Sequence, residues 1–95
     1  MRFLLAVLSV VIFTGISYSG EVTTTELLDE AQNSLKSAFE SGCPEVAPYE
    51  YYKAEAYYMI AREETSKLNL EAGNAAALKS IEWSLKAMSK RFGGN

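Results

Sequence analysis

The chain lacks histidine altogether and holds one cysteine, one tryptophan and two prolines among its 95 residues. Without histidine it cannot build a serine–histidine–aspartate triad or a histidine-rich metal site. One cysteine can form neither an internal disulfide nor a zinc knuckle. Twelve acidic residues against nine basic ones give a formal charge of -3, which argues against general nucleic-acid binding. The inventory therefore predicts no enzyme, no metal, no cofactor and no nucleic-acid partner.

Residues 1–19 have the layout of a cleavable secretory signal. The positive charge of Arg2 precedes an uncharged apolar run over residues 3–16. Small residues, Ser17 and Ser19, then stand at the minus-three and minus-one positions of a cleavage site. The alternative is a retained membrane anchor, but a span needs roughly 20 apolar residues, and this run is shorter.

Cleavage would leave residues 20–95 as the mature helical domain, beginning at Gly20. Eight bases and twelve acids then give a charge of -4. We expect a periplasmic or secreted bacterial protein with a Sec-type signal and no stable membrane span after cleavage. It is not expected to be a lipoprotein, because no cysteine stands at the cut and Cys43 is too distant.

Apolar residues recur at helical spacing in three segments of the mature chain. The predicted helices span about residues 23–41, 48–67 and 70–91. Thr23 and Glu26 have the spacing of a capping box for the first helix, and Gly42 is a natural stop. Two prolines, Pro44 and Pro48, predict a connection without helix before the second helix. No alternating strand pattern occurs, so we expect an all-α fold, a small antiparallel three-helix domain.

The second and third helices carry apolar residues on two sides. One side of the second helix consists of Tyr49, Tyr52, Ala56, Met59 and Ile60, and the main stripe of the third consists of Leu78, Ile81, Leu85 and Met88; these are predicted to face the core. The opposite sides carry Tyr51, Ala54, Tyr58 and Ala61, and Ala72, Ala76, Trp83 and Ala87. A helix that is apolar on two sides is usually packed on two sides.

The stretch from Ala47 to Tyr57 (APYEYYKAEAY), followed by Ala61 to Glu64 (AREE), resembles the bacterial DUF4398 domain family. The family pattern has an alanine–proline pair opening an alanine-rich helix, a short break and another alanine-rich helix. The resemblance implies a tetratricopeptide-like (TPR-like) helical hairpin preceded by one helix, in a small secreted or periplasmic protein. It implies no catalytic residues. Cys43 departs from the family pattern, where small apolar residues are more usual.

The opposite sides of the second and third helices, which we call the second faces, form a predicted interface for an unknown protein partner or a second copy of the chain. Its residues are Tyr51, Tyr58, Ala72, Ala76 and Trp83. A tryptophan among alanines is a candidate interface anchor. The alternative is that Trp83 packs at a seam against Phe39 or a tyrosine.

Cys43 has two interpretations. In an oxidising compartment an unpaired cysteine can form an intermolecular disulfide. Alternatively, Cys43 is a buried free thiol that acts as a small apolar residue.

Two functions follow from these patterns. The first is a non-enzymatic exported interaction or scaffold module that self-associates through its second apolar faces. The alternative is a binder of a small ligand or a cell-envelope polymer, with five tyrosines within residues 49–58 as a stacking platform.

Overall fold

The computed structural model describes residues 23–93, and within this range every regular element is a helix. Helix α1 spans Thr24–Glu40, α2 spans Cys43–Val46, α3 spans Pro48–Ser66 and α4 spans Leu70–Gly93. The predicted all-α class is confirmed. The predicted signal peptide and its cleavage site lie outside the described residues.

The capping box predicted for α1 is present. The backbone N–H of Glu26 donates to Thr23 Oγ1, and the backbone N–H of Thr23 donates to Glu26 Oε1, both at 3.1 Å. These two bonds satisfy donors that the first turn of a helix otherwise leaves free. Gly42 follows the end of α1 at φ 84°, a conformation that favours glycine.

The one-turn helix α2 was not predicted, because two prolines in five residues indicated a connection without helix. Pro44 lies in the first turn of α2, and Pro48 is the first residue of α3. A proline disrupts a helix interior but is tolerated in a first turn, where its missing N–H would have no partner. Each proline therefore starts a helix here.

Helices α3 and α4 pack closely through small side chains. The buried face of α4 consists of Gly73, Ala76, Ala77, Ser80, Ser84 and Ala87. Ser80 Oγ donates a 2.8 Å hydrogen bond to the carbonyl oxygen of Ala54 in α3, so a side chain of one helix reaches the backbone of the other. Contacts run in opposite order along the two helices: Gly73 meets Thr65, and Lys90 meets Glu50.

The first helix packs over this pair and completes two small clusters. Leu27 and Ala31 of α1 pack with residues of the α3 C-terminal half and the α4 N-terminal half, including Ala61 and Ala77. Ala38 packs near the other end, with Cys43 and Ala87. Arg91 Nε also donates a 2.9 Å bond to the carbonyl oxygen of Ser41, just after α1.

The predicted core face of α3 was wrong, and that of α4 was wrong for Leu78 and Leu85, whereas Ile81 and Met88 are half-buried and pack against the core clusters. Tyr49 and Tyr52 are 62% and 53% exposed, and Leu78 and Leu85 are 54% and 55% exposed. The alanine and serine faces are buried instead. The physical reason is the short distance between α3 and α4, which leaves room for alanine, serine and glycine but excludes leucine.

The turn between α3 and α4 holds a leucine in the left-handed region. Leu68 has φ 65° and is 81% exposed. The backbone N–H of Asn69 donates to the carbonyl of Glu64, and that of Leu68 donates to the carbonyl of Thr65. These are the two bonds of a Schellman motif, a helix end at which glycine usually takes the position of Leu68.

Substitution of Gly73 tests the close approach of α3 and α4. A Cβ at this position would collide with Thr65 Oγ1 and would lie 3.3 Å from the backbone nitrogen of Thr65. We expect Gly73→Ala to lower the free energy of unfolding by about 1–3 kcal/mol through overpacking. The higher helix propensity of alanine alone would raise the free energy of unfolding by about 1 kcal/mol, so overpacking and helix propensity predict changes of opposite sign.

The measurement is urea unfolding followed by circular dichroism. Gly93→Ala is the matched control, because its Cβ would meet only Ser89 Oγ, at an ordinary 3.6 Å. A Gly73→Ala protein as stable as the parent chain would contradict the close approach.

Candidate interaction surface

The five residues predicted as an interface lie mainly at contacts within the chain. Tyr51 and Ala76 are buried, and Tyr58, Ala72 and Trp83 are half-buried. Tyr51 and Ala76 could therefore meet a partner only if the helices separated. Trp83 was predicted either to anchor an interface or to pack at a seam between helices. Its position agrees with packing at a seam, because its ring packs against that of Tyr49.

Trp83 is the centre of an aromatic and cationic cluster formed by α3 and α4. Its ring lies edge-on to Tyr49, with 5.7 Å between centroids. Lys53 Nζ lies 5.4 Å from the centroid of Trp83 and 5.3 Å from that of Tyr49, and Lys86 Nζ lies 4.3 Å from Trp83. Ammonium groups are attracted to aromatic rings at these distances. Lys53 follows Tyr49 by four residues and Lys86 follows Trp83 by three, so the helical spacing in the sequence already indicates both contacts.

The outward side of α3 is an exposed apolar strip. We define the outer strip of α3 as Tyr49, Tyr52, Ala56, Met59 and Ile60, all of which are exposed. Four of them are large apolar or aromatic residues within twelve positions. An exposed apolar strip of this kind is typical of a contact surface.

A groove separates α1 from α3. Its volume is about 490 Å³, and its walls are Gln32, Asn33, Leu35, Lys36, Phe39, Tyr51 and Tyr58. The rings of Phe39 and Tyr51 are 6.3 Å apart, and those of Tyr51 and Tyr52 are 5.0 Å apart and edge-on. Burial raises the pKa of the Tyr51 hydroxyl, and the nearby carboxylate of Glu55 adds to this effect. Tyr51 therefore remains protonated at neutral pH and can donate a hydrogen bond.

One ion pair joins the two long helices beside the aromatic cluster. Lys90 Nζ lies 3.1 Å from Glu50 Oε2, and the Glu50 side chain is largely buried. A hydrogen bond from its own backbone N–H, together with the Lys90 ammonium, holds the pKa of the Glu50 carboxyl below its usual range despite this burial. Glu50 is therefore ionised at neutral pH, and it holds Lys90 against α3.

Cys43 is fully buried between the helices, so the structure matches the free-thiol interpretation and leaves the sulfur inaccessible to a second chain. Burial raises the pKa of the Cys43 thiol, and the guanidinium of Arg91 opposes this shift only in part. The thiol is therefore protonated and weakly nucleophilic.

Neither a metal centre nor a membrane span is found in the described part of the chain. Residues 23–93 bring no three histidine, cysteine, aspartate or glutamate residues together as metal ligands. Within the same range, none of the helices combines the length and apolar character that crossing a bilayer requires.

Comparison with known proteins gives no relative. No protein-family model, no curated protein sequence and no solved structure matches this chain. The resemblance to the DUF4398 family stays a prediction.

The burial of Cys43 predicts a thiol that reacts only when the chain unfolds. A chromogenic disulfide reagent at pH 8 should modify native protein very slowly, and the rate should increase with urea in step with the unfolded fraction. Fast modification of the native protein would contradict the burial.

The raised pKa of Cys43 also predicts a dependence of stability on pH. The thiol ionises at lower pH in the unfolded chain than in the folded one, so its contribution is complete below about pH 8.5 and is lost as pH rises through the folded pKa. Unfolding curves of Cys43→Ala should therefore lose part of the alkaline decrease in stability seen with the parent chain.

Proposed function

We propose that the chain is an exported, non-enzymatic helical interaction module that associates with a protein partner, including a second copy of itself. The observation that carries this proposal is the placement of the large apolar residues. Alanine, glycine and serine fill the α3–α4 contact, while the outer strip of α3 remains exposed.

The energies favour a partner on the outer strip. Complete burial of a large apolar side chain contributes about 1.5–3 kcal/mol, and each buried CH₂ group contributes about 0.8 kcal/mol. Met59 and Ile60 are 63% and 45% exposed, so burying the rest of each side chain in a contact would contribute about half of that value, roughly 1–2 kcal/mol per residue. A domain this small commonly needs such an additional source of stability.

Export is supported by the sequence. Residues 1–19 have the charge, the apolar run and the small residues of a cleavable bacterial Sec-type signal. We place the mature domain, residues 20–95, in the periplasm or outside the cell. For its architecture we propose an antiparallel three-helix domain with a TPR-like α3–α4 hairpin, as the resemblance to the DUF4398 family implies.

Self-association of the mature chain tests this proposal. Sedimentation of residues 20–95 should give an average mass that rises with concentration. Ile60→Lys should weaken the association about tenfold or more, since it places a charge in an apolar contact. Leu68→Lys is the control, because Leu68 is exposed in the turn outside the outer strip.

Reductant should leave the association unchanged, because Cys43 is buried. A strictly monomeric chain at all concentrations would remove self-association from the proposal.

A second candidate function uses the groove between α1 and α3. The exposed parts of Tyr58 and Phe39, with the amides of Gln32 and Asn33, could bind a small ligand or a segment of an envelope polymer by stacking and hydrogen bonding. Titration with soluble peptidoglycan fragments should shift the side-chain amide NMR signals of Gln32 and Asn33, and Tyr58→Ala should abolish the shift. Unchanged signals at millimolar fragment concentration would remove this candidate.

A further inference from the structure

The exposed side of α1 is acidic. Glu26, Asp29, Glu30 and Glu40 are all exposed, and within residues 23–93 none of them forms an ion pair. At about 100° per residue these four fall within an arc of about 100°, whose centre lies about 135° from that of the buried residues Leu27, Ala31 and Ala38. The exposed Lys36 lies at the edge of the same arc. We call them the acidic row.

The side of the α3–α4 pair away from α1 carries the opposite charge. Lys79, Trp83, Lys86 and Lys90 fall within an arc of about 60° on α4, and Lys53 of α3 reaches the same Trp83 ring. Ile81 and Met88, which pack against clusters that include residues of α1, lie about 140–160° from Trp83 and Lys86 on the same helix. We call Lys53, Lys79, Trp83, Lys86 and Lys90 the basic face.

The two charged surfaces are similar in length. Glu26 and Glu40 are 14 residues apart, or about 21 Å along α1, and Lys79 and Lys90 are 11 residues apart, or about 17 Å along α4. Lys53 and Lys79 have no carboxylate within ion-pair distance in the described residues. Lys86 pairs with Glu82 at 3.6 Å, but both side chains are half exposed, so this pair is weak and can exchange partners. Lys90 pairs at 3.1 Å with the largely buried Glu50 and keeps that partner, so Lys53, Lys79 and Lys86 supply the charge available to a second copy.

We infer that a second copy of the chain docks the acidic row of its α1 on the basic face, with Trp83 inside the contact. This inference rests on the proposed self-association and names the surfaces that meet. A second copy is the occupant the observations favour, because the chain itself carries the complementary charges in a row of matching length. The two surfaces differ and lie on different sides of the domain. The contact is therefore heterologous, and copies add front to back rather than closing into a two-fold dimer.

Charge reversal on each surface provides the test. Asp29→Lys/Glu30→Lys leaves the acidic row with two charges of each sign, and Lys53→Glu/Lys86→Glu does the same to the basic face, so each variant keeps only one of the two surfaces intact. By sedimentation, the association constant of each variant alone should fall at least tenfold. An equimolar mixture should associate again, because one variant supplies the basic face and the other supplies the acidic row. Arg62→Glu/Lys67→Glu is the matched control, with the same change in charge at exposed bases outside the basic face.

Trp83 gives a local readout, since it is the only tryptophan. Its emission should change with the concentration of the parent chain and should revert as salt is raised from 0.1 M to 1 M, where the Debye length falls from about 10 Å to about 3 Å. Each variant alone should keep the Trp83 emission of the dilute parent chain at every concentration. The equimolar mixture should show the same change in emission as the concentrated parent chain. Circular dichroism of every variant verifies that the helices are retained.

The outcomes separate the two proposals. Recovery on mixing, with the change in Trp83 emission, supports front-to-back docking. Association that persists in both variants but is lost in Ile60→Lys overturns this inference and leaves the proposed function standing. A parent chain that stays monomeric, with constant Trp83 emission, overturns both.

Discussion

The close approach of α3 and α4 determines most of what is unusual in this protein. At Gly73 the backbone of α4 lies against the C-terminal turn of α3, and at Ser80 a side chain bonds directly to the backbone of Ala54. Helices separated by so small a distance cannot accommodate leucine or methionine between them. The contact between α3 and α4 is consequently filled by alanine, serine and glycine. These side chains bury little apolar area, and the hydrogen bond from Ser80 to Ala54 adds to the stability of the contact.

This interior leaves the larger side chains outside. Met59 and Ile60 of α3 and Leu78 and Leu85 of α4 occupy positions that a wider bundle would bury, yet all four are exposed. Their exposure is the direct counterpart of the tight α3–α4 contact, and it supports a role in protein association. The acidic row and the basic face are different surfaces on different sides of the domain. A contact between the acidic row of one copy and the basic face of another would therefore have a defined orientation. Apolar area would supply affinity and charge would supply register.

The helices were predictable from the sequence, but their orientation was not. The capping box at Thr23 and Glu26 and the apolar periodicity identified three of the four helices in residues 23–93, because these signals act within a few residues. The short helix α2 was missed, since a proline can end one helix and begin another. The burial of Tyr51 rather than Tyr49 depends on how near α4 comes to α3, and no local pattern reports that distance. For the same reason the predicted interface included Tyr51 and Ala76, which pack within the chain.

The bond from Arg91 to the carbonyl of Ser41 has a consequence for the order in which the domain loosens. The final turn of a long helix ordinarily frays, and its loss affects nothing upstream. Here that turn holds the exit of α1, fifty residues earlier in the chain, next to the buried Cys43. Opening of the last turn would therefore break this bond, so the C-terminal end of α4 helps to hold the end of α1 in place.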